Sequence, residues 1–213
     1  MKLYYTPGAC SLASHITAEE ENLPLKLERV DLKTHKTESG QDYYSVNPKG
    51  YVPALVLDDG NLLTENVAIL PFLADQRPAV GLAPPPKTME RVRLYEWLGF
   101  ISSELHKAFA PFFHNEDEAH KSEARKSIER RLTFVADQLK GREFLLGQRF
   151  SVADAYFYVI LRWCDMAGVD LVKFPKLESY RKRIASRAAV QAAVKAEGLP
   201  PDAAAEKQTE MAS

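Results

Sequence analysis

Apolar and polar positions follow two different rhythms along this chain. Residues 2–5 form a short run with strand character, closed by the turn Thr6-Pro7-Gly8-Ala9. A helical spacing opens at Cys10 and Ser11. Leu12, Ile16 and Leu23 share one side, Glu19, Glu20 and Glu21 another, and Asn22 with Pro24 ends the helix. Residues 25–32 read as a second strand and 53–57 as a third. Asp58-Asp59-Gly60-Asn61 is a hairpin turn, because Asp-Gly accepts positive φ, and Leu62 and Leu63 continue a fourth strand. Residues 65–77 are helical by the spacing of Val67, Ile69, Leu70, Phe72 and Leu73. Residues 33–50, between the second and third strands, are polar and read as loop.

The order β-α-β, long connection, β-β-α requires a parallel strand pair and an antiparallel one. A mixed four-stranded sheet with helices packed on it satisfies both. The Pro-rich stretch 78–87 breaks the chain and reads as a linker. Beyond it the spacing is helical almost throughout. One helix is expected over 89–113 with Leu94, Trp97, Leu98, Ile101 and Leu105 on its stripe, and another over 123–139. Ser151-Val152-Ala153-Asp154 has the form of a capping box before a buried helix over 155–167, and two shorter helices fill 175–197. The expected division is an α/β unit at 1–79, an all-helical unit at 88–199 and a frayed tail at 200–213.

Composition narrows the classes. A net charge of −1 leaves no basic excess to neutralise phosphates, which argues against nucleic-acid binding. No apolar run approaches the roughly 18 residues of a membrane span, and the N-terminus lacks a signal-peptide core, so an intracellular, cytoplasmic protein is expected. Cys10 and Cys164 read as free thiols, and no metal-ligand spacing is present, so no metal is expected.

Cys10 sits where a strand ends and a helix begins. The unpaired N–H groups there stabilise a thiolate, whereas a small buried hydrophobe is the common alternative for a free cysteine. Val52-Pro53 opens a strand. A cis bond there would turn the backbone of Val52 towards an extended peptide ligand, and a trans turn proline is the ordinary expectation. Glu65 and Asn66 begin a helix whose N-terminus suits a ligand carboxylate, with Glu65 free to pair with an ammonium; dipole complementarity alone would also put an acid there. Gly99, Ser103 and His106 share a helix face apart from the apolar stripe, suggesting a cleft wall or, more blandly, a solvated face. Phe109, Pro111, Phe112 and Phe113 read as an apolar pocket wall suited to hydrophobic electrophiles. Cys164 reads as a core thiol, and Arg181-Lys182-Arg183 as solvated helix charge.

Five stretches in order resemble one family. The opening Met1-Lys2-Leu3-Tyr4-Tyr5-Thr6-Pro7-Gly8-Ala9-Cys10-Ser11-Leu12 is similar to that of the bacterial beta-class glutathione transferases. Residues 47–55 resemble that family's loop to its cis-proline, 63–69 its γ-glutamyl-binding helix start, 97–107 its active-site helix, and 147–156 its folding motif. The resemblance implies a thioredoxin-like glutathione-binding domain, an all-helical second domain, a homodimer, and detoxifying conjugation of the co-substrate glutathione to hydrophobic electrophiles. It implies Cys10 beside the glutathione sulfur, Val52 and cis-Pro53 with Tyr51 along its cysteinyl part, Glu65 and Asn66 at the γ-glutamyl end, and Ser103 and His106 facing the sulfur. Tyr5 resembles the family's tyrosine near the site. His35 stands where the family often has a lysine for the glycyl carboxylate. Gly99 stands where it often has Asn. Two rival readings remain at this level: a glutathione-dependent reductase or reductive dehalogenase using Cys10, and a non-catalytic binder of glutathione or other ligands.

Overall fold

The computed structural model describes residues 1–202. Strand β1 (Lys2–Tyr5) leads through the Thr6–Ala9 turn into helix α1 (Ser11–Glu20), and β2 (Lys26–Asp31) returns parallel to β1 with Leu27 opposite Leu3. α1 stops at Asn22, whose φ of 48° places it in the left-handed region, a conformation Asn tolerates well. The expected four-stranded sheet gains a fifth strand. β3 (Lys36–Thr37) pairs antiparallel with β2 inside the stretch read as loop. It is two residues long and held by backbone bonds, so no apolar alternation marks it. β4 (Ala54–Val56) runs antiparallel to β1, and β5 (Leu62–Thr64) pairs with β4 across the turn in which Gly60 takes a φ of 86°. The sheet order is β3-β2-β1-β4-β5.

The period-two alternation of strands sorts β1 between two cores. Leu3 and Tyr5 pack with Leu55, Ile69 and Leu73, the last two from helix α2 (Asn66–Ala74). Tyr4 points the other way, onto Val30, Tyr43, Val52 and Ala54.

The helix expected over 89–113 is three pieces. α3 (Met89–Phe100) runs into a π-helical turn (Ile101–His106), and α4 (Ala110–Phe113) follows. α5 (Glu118–Gln138) starts five residues before the expected position, because the Asp117 side chain accepts from the backbone N–H of His120 and caps an earlier first turn. α6 (Val152–Ala167) is buried around most of its circumference up to its last turn, where Asp165 and Met166 are exposed, and packs against α1, α2 and α3. At its start Asp154 accepts from the Ser151 N–H at 2.8 Å, the Leu145 N–H at 2.8 Å and the Tyr180 hydroxyl at 2.6 Å. Burial pushes the Asp154 carboxyl above its ordinary value, and those donors hold it back. α7 (Pro175–Ala185) and α8 (Ala188–Ala196) complete the helices, and α8 packs on α1.

Three expectations change. Arg181 is not solvated: it is buried, and donates to Asp165 at 2.5 Å and to Asp202 at 3.0 Å. Of the tail expected to fray from 200, residues 200–202 are held, since Asp202 is the buried partner of Arg181; residues 203–213 lie outside the described residues. Phe109 is no pocket wall, being fully buried in the core, and Phe112 lies under the Arg125 guanidinium at 5.4 Å. Cys164 is a core thiol, bonded weakly to Ile160 O at 3.8 Å. No described helix is long and apolar enough to cross a membrane.

Candidate active site

The sheet and α6 converge on the loop that carries Cys10. Cys10 is the N-cap of α1, and its Sγ donates to Val52 O at 3.4 Å. The sequence left a thiolate at the helix N-terminus and a small buried thiol both open, and burial decides for the neutral thiol. Burial pushes the thiol up to about 12, and the N–H groups of Cys10 and Ser11 offset only part of that. In the free protein Cys10 is therefore a neutral donor.

The Val52-Pro53 bond is cis. The strand-opening backbone before it is held rigidly, because Tyr51 O accepts from Tyr43 Oη at 2.9 Å and from Asn47 Nδ2 at 2.7 Å. Val52 O, facing Cys10, thus sits on a fixed edge.

Glu65 heads α2 with a φ of 73°, a costly conformation for a residue other than glycine, of the kind that persists at ligand sites. Its side chain does not cap the helix. Instead Oε1 accepts from Lys49 Nζ at 2.6 Å and Tyr51 Oη at 2.7 Å. Burial alone would raise the carboxyl, but those donors and the lysine charge prevail and hold it below its ordinary value. Both donors hold the same carboxylate oxygen. Asn66, next to it, is buried: Nδ2 donates to Cys10 O at 2.9 Å, and Oδ1 accepts from Ser14 Oγ at 2.8 Å. Its side chain therefore ties α2 to the cysteine loop.

His106 ends the π-helical turn. Its Nδ1 lies 2.8 Å from Tyr156 Oη, and its ring stands edge-on to Trp163 at 4.8 Å. Burial pushes the imidazole down to about 4, the Lys107 charge adds to this and Glu65 opposes it, so the ring is neutral at ordinary pH. Ser103 lies on the exposed side of the turn and donates to Gly99 O at 2.9 Å. His35, at a φ of 51°, packs its ring on Tyr44 at 4.4 Å and keeps Nδ1 buried without a hydrogen-bond partner. Tyr5 sits on the opposite face of β1 from Tyr4, its ring 6.4 Å from that of His15.

The arrangement thus gathers Cys10, Val52, Glu65, Asn66 and His106, and adds Lys49, Lys107, Tyr156 and Trp163, which sequence reasoning did not single out as site residues. Tyr156 lay within the quoted 147–156 stretch and Trp163 beside Cys164, but nothing local marks either as facing a site. A separate groove of about 1580 Å³ runs between Trp97, Phe100, Phe134, Arg142 and Arg149, and none of Cys10, Val52, Glu65 or His106 lines it.

Comparisons agree with this geometry in both halves. Residues 8–76 match the family described as the glutathione S-transferase N-terminal domain, and residues 100–188 the glutathione S-transferase C-terminal domain. The chain is 46% identical over 200 residues to glutathione S-transferase GstA of Escherichia coli O157:H7, spanning 93% of this chain and all of that one. It is 41% identical to glutathione S-transferase GST-4.5 of Xanthomonas campestris, covering 93% of this chain and all of the relative. Among solved structures, a beta-class glutathione S-transferase of Sphingomonas chungbukensis superposes with a TM-score of 0.92 at 46% identity, covering 94% of this chain and all of that one. A sphingomonad glutathione S-transferase complexed with glutathione gives 0.91 at 48% identity, with the same coverage.

Proposed function

This chain belongs to the glutathione S-transferase family, and we propose that the site around Cys10 binds reduced glutathione and presents its sulfur to a hydrophobic electrophile. The chemistry is conjugation: the thiol of glutathione loses its proton to solvent, the thiolate forms a carbon–sulfur bond, and the leaving group departs with the displaced electron pair. The observation that carries the reading is the pairing of Glu65 with Lys49 and Tyr51 at the head of α2, beside the fixed edge at Val52. Lys49 and Tyr51 both donate to Oε1 and fix the carboxylate, so its other oxygen, Oε2, is the one to take the amino end of the γ-glutamyl group.

In this reading, Val52 pairs its backbone with the cysteinyl part, Tyr51 and cis-Pro53 flank it, and Glu65 takes the ammonium. The first N–H groups of α2, at Asn66, take the γ-glutamyl carboxylate. His35 lies toward the glycyl end in the place of a lysine. His106 and Lys107 lower the cost of the sulfur anion, and Cys10 stands beside it as a neutral donor. Ser103 and Tyr5 act at the margin. Residues 1–79 form the glutathione-binding unit and 88–199 the unit that admits the electrophile, with Trp163 and the half-exposed Phe113, whose rings meet at 4.8 Å, on its wall.

The protein works as a cytoplasmic, detoxifying homodimer. Met89, Val92 and Tyr95 on α3 and Phe134 on α5 are all at least 46% exposed, an apolar face that a second copy would cover. Sedimentation of the purified chain checks this, and a monomer at micromolar concentration would remove it.

The test of function is turnover with glutathione and a panel of aryl halides, peroxides and mixed disulfides, comparing wild type with Cys10→Ala and His106→Ala. Conjugation that survives Cys10→Ala supports the transferase reading. Activity confined to mixed disulfides and lost with Cys10 would replace it by a thiol–disulfide reductase.

A further inference from the structure

Asn66 is 5% exposed, and Ser14 on α1, which its side chain meets, is fully buried. The amide Nδ2 donates to Cys10 O at 2.9 Å, and Ser14 Oγ donates to Asn66 Oδ1 at 2.8 Å. A backbone carbonyl oxygen only accepts, so the amide nitrogen must face Cys10 and the amide oxygen must face Ser14. The hydroxyl of Ser14 locks that orientation. Cys10 O also accepts from the Ala13 N–H at 3.1 Å in the first turn of α1, so both of its lone pairs are engaged.

This one amide joins two helix N-termini. Cys10 is the N-cap of α1, and Asn66 is the first residue of α2. Each end presents N–H groups without intrahelical partners and a partial positive charge. Glutathione in its reactive form carries an anion for each: the γ-glutamyl carboxylate at α2 and the sulfur beside Cys10. The separation of the two ends therefore decides whether one tripeptide reaches both. The other connection between them is longer, running from Cys10 Sγ to Val52 O and from Tyr51 Oη to Glu65 Oε1.

We propose that Asn66, locked by Ser14, is a positioning residue that fixes the N-terminus of α1 relative to that of α2, so that a tripeptide held at α2 presents its sulfur to α1. The side-chain amide does not itself touch the reacting atoms. It bonds the backbone of Cys10, so Cys10→Ala leaves it in place. The γ-glutamyl carboxylate is taken by backbone N–H groups, which survive any side chain at this position. The inference rests on the reading of the site as one that binds glutathione.

The experiment titrates the thiol of bound glutathione through the ultraviolet absorbance of its thiolate, as the difference between protein with and without glutathione. Wild type, Asn66→Ala and Ser14→Ala are compared, each saturated according to its own calorimetric titration. In Asn66→Ala the bound thiol titrates roughly half to one pH unit higher, the size expected for one lost hydrogen bond. kcat for conjugation, measured below the wild-type thiol value, falls roughly threefold to tenfold, while KM for glutathione moves less than about twofold. Ser14→Ala keeps Asn66 but frees its amide to turn, and produces smaller shifts in the same sense. It decides the matter if Asn66→Ala does not fold. A lowered melting temperature with the thiol titration and kcat unmoved overturns the proposal, because a purely structural bond would do only that. A raised KM with kcat unmoved also overturns it and confines Asn66 to the γ-glutamyl end. A wild type that binds no glutathione overturns the functional reading and this proposal with it, whereas binding with unmoved variants overturns this proposal alone.

Discussion

The indole N–H of Trp163 donates to the carbonyl oxygen of Gly8 at 2.8 Å, joining residues 155 positions apart in the chain. The same ring stands edge-on to His106 at 4.8 Å. One side chain of α6 therefore holds both the loop that carries Cys10 and the helical turn that carries His106. Trp163→Phe keeps a ring and removes the donor. It should cost about 1 kcal/mol and lower the melting temperature by about 2–4 °C. Glutathione affinity should fall with it. Circular dichroism melts and calorimetric titration check the two effects, and an affinity that is unaltered while the protein is destabilised would confine Trp163 to folding.

Glu65→Gln removes the charge and keeps a hydrogen-bond acceptor for Lys49 and Tyr51. A charged hydrogen bond is worth about 1.5–3 kcal/mol, so KM for glutathione should rise roughly tenfold to a hundredfold. The saturated kcat should stay within a few-fold, because this contact lies away from the sulfur. Steady-state kinetics would show it, and an unmoved KM would put the ammonium elsewhere.

Glu21, at the end of α1, is 1% exposed and neither carboxyl oxygen has a hydrogen-bond partner. Burial pushes it up to about 7; Arg77 pulls it down, and Glu20 and Asp75 push it further up. Between the unfolded value near 4.5 and about 7 the native state binds the extra proton. The contribution of this group to stability is therefore greatest below about 4.5 and is lost as pH rises through 7. Glu21→Gln should exceed the wild type at pH 8 by on the order of 1–3 kcal/mol, with the gap closing towards pH 4. Urea unfolding at the two pH values measures this. An equal gap at both would show that Glu21 does not titrate in this window.

Cys10 should alkylate slowly in the free protein. With its thiol pushed up to about 12 and buried against Val52 O, iodoacetamide at pH 7.5 should modify it at least tenfold more slowly than a free cysteine, and at the ordinary rate in urea. Mass spectrometry of timed samples reads both rates. Modification of native protein faster than of unfolded protein would restore the resting thiolate.

Most of the topology was legible, and so was the neighbourhood of the chemistry. Asp-Gly at 59–60 marks the hairpin because few residues accept its backbone, and the turn after Tyr5 places Cys10 at a strand end whatever the fold around it. What was hidden depends on partners distant in sequence. Arg181 reads as a surface charge until Asp202 and Asp165 are seen to enclose it. The Cys10 thiol reads as acidic from its helix position, and burial reverses the sign. The cis state of Val52-Pro53 has no local signature and came only with the family resemblance. The break at 101–106 carries no proline, and its single nearby glycine, Gly99, lies in α3, so spacing alone continued the helix.

The π-helical turn also makes this helix a vernier. Residues before it keep one angular phase, which sets Trp97 and Phe100 into the groove, and residues after it keep another, which sets His106 against Tyr156 and Phe109 into the core. Deleting one residue between 101 and 105 would let the helix close into a regular spiral, with better backbone bonds than before. It would leave the angular phase downstream almost unchanged, because a π turn is one extra residue wound into a regular helix. The cost would fall on the turn itself, where His106 would lose the extra residue that sets it against Tyr156, from a change that adds no bulk and removes no charge.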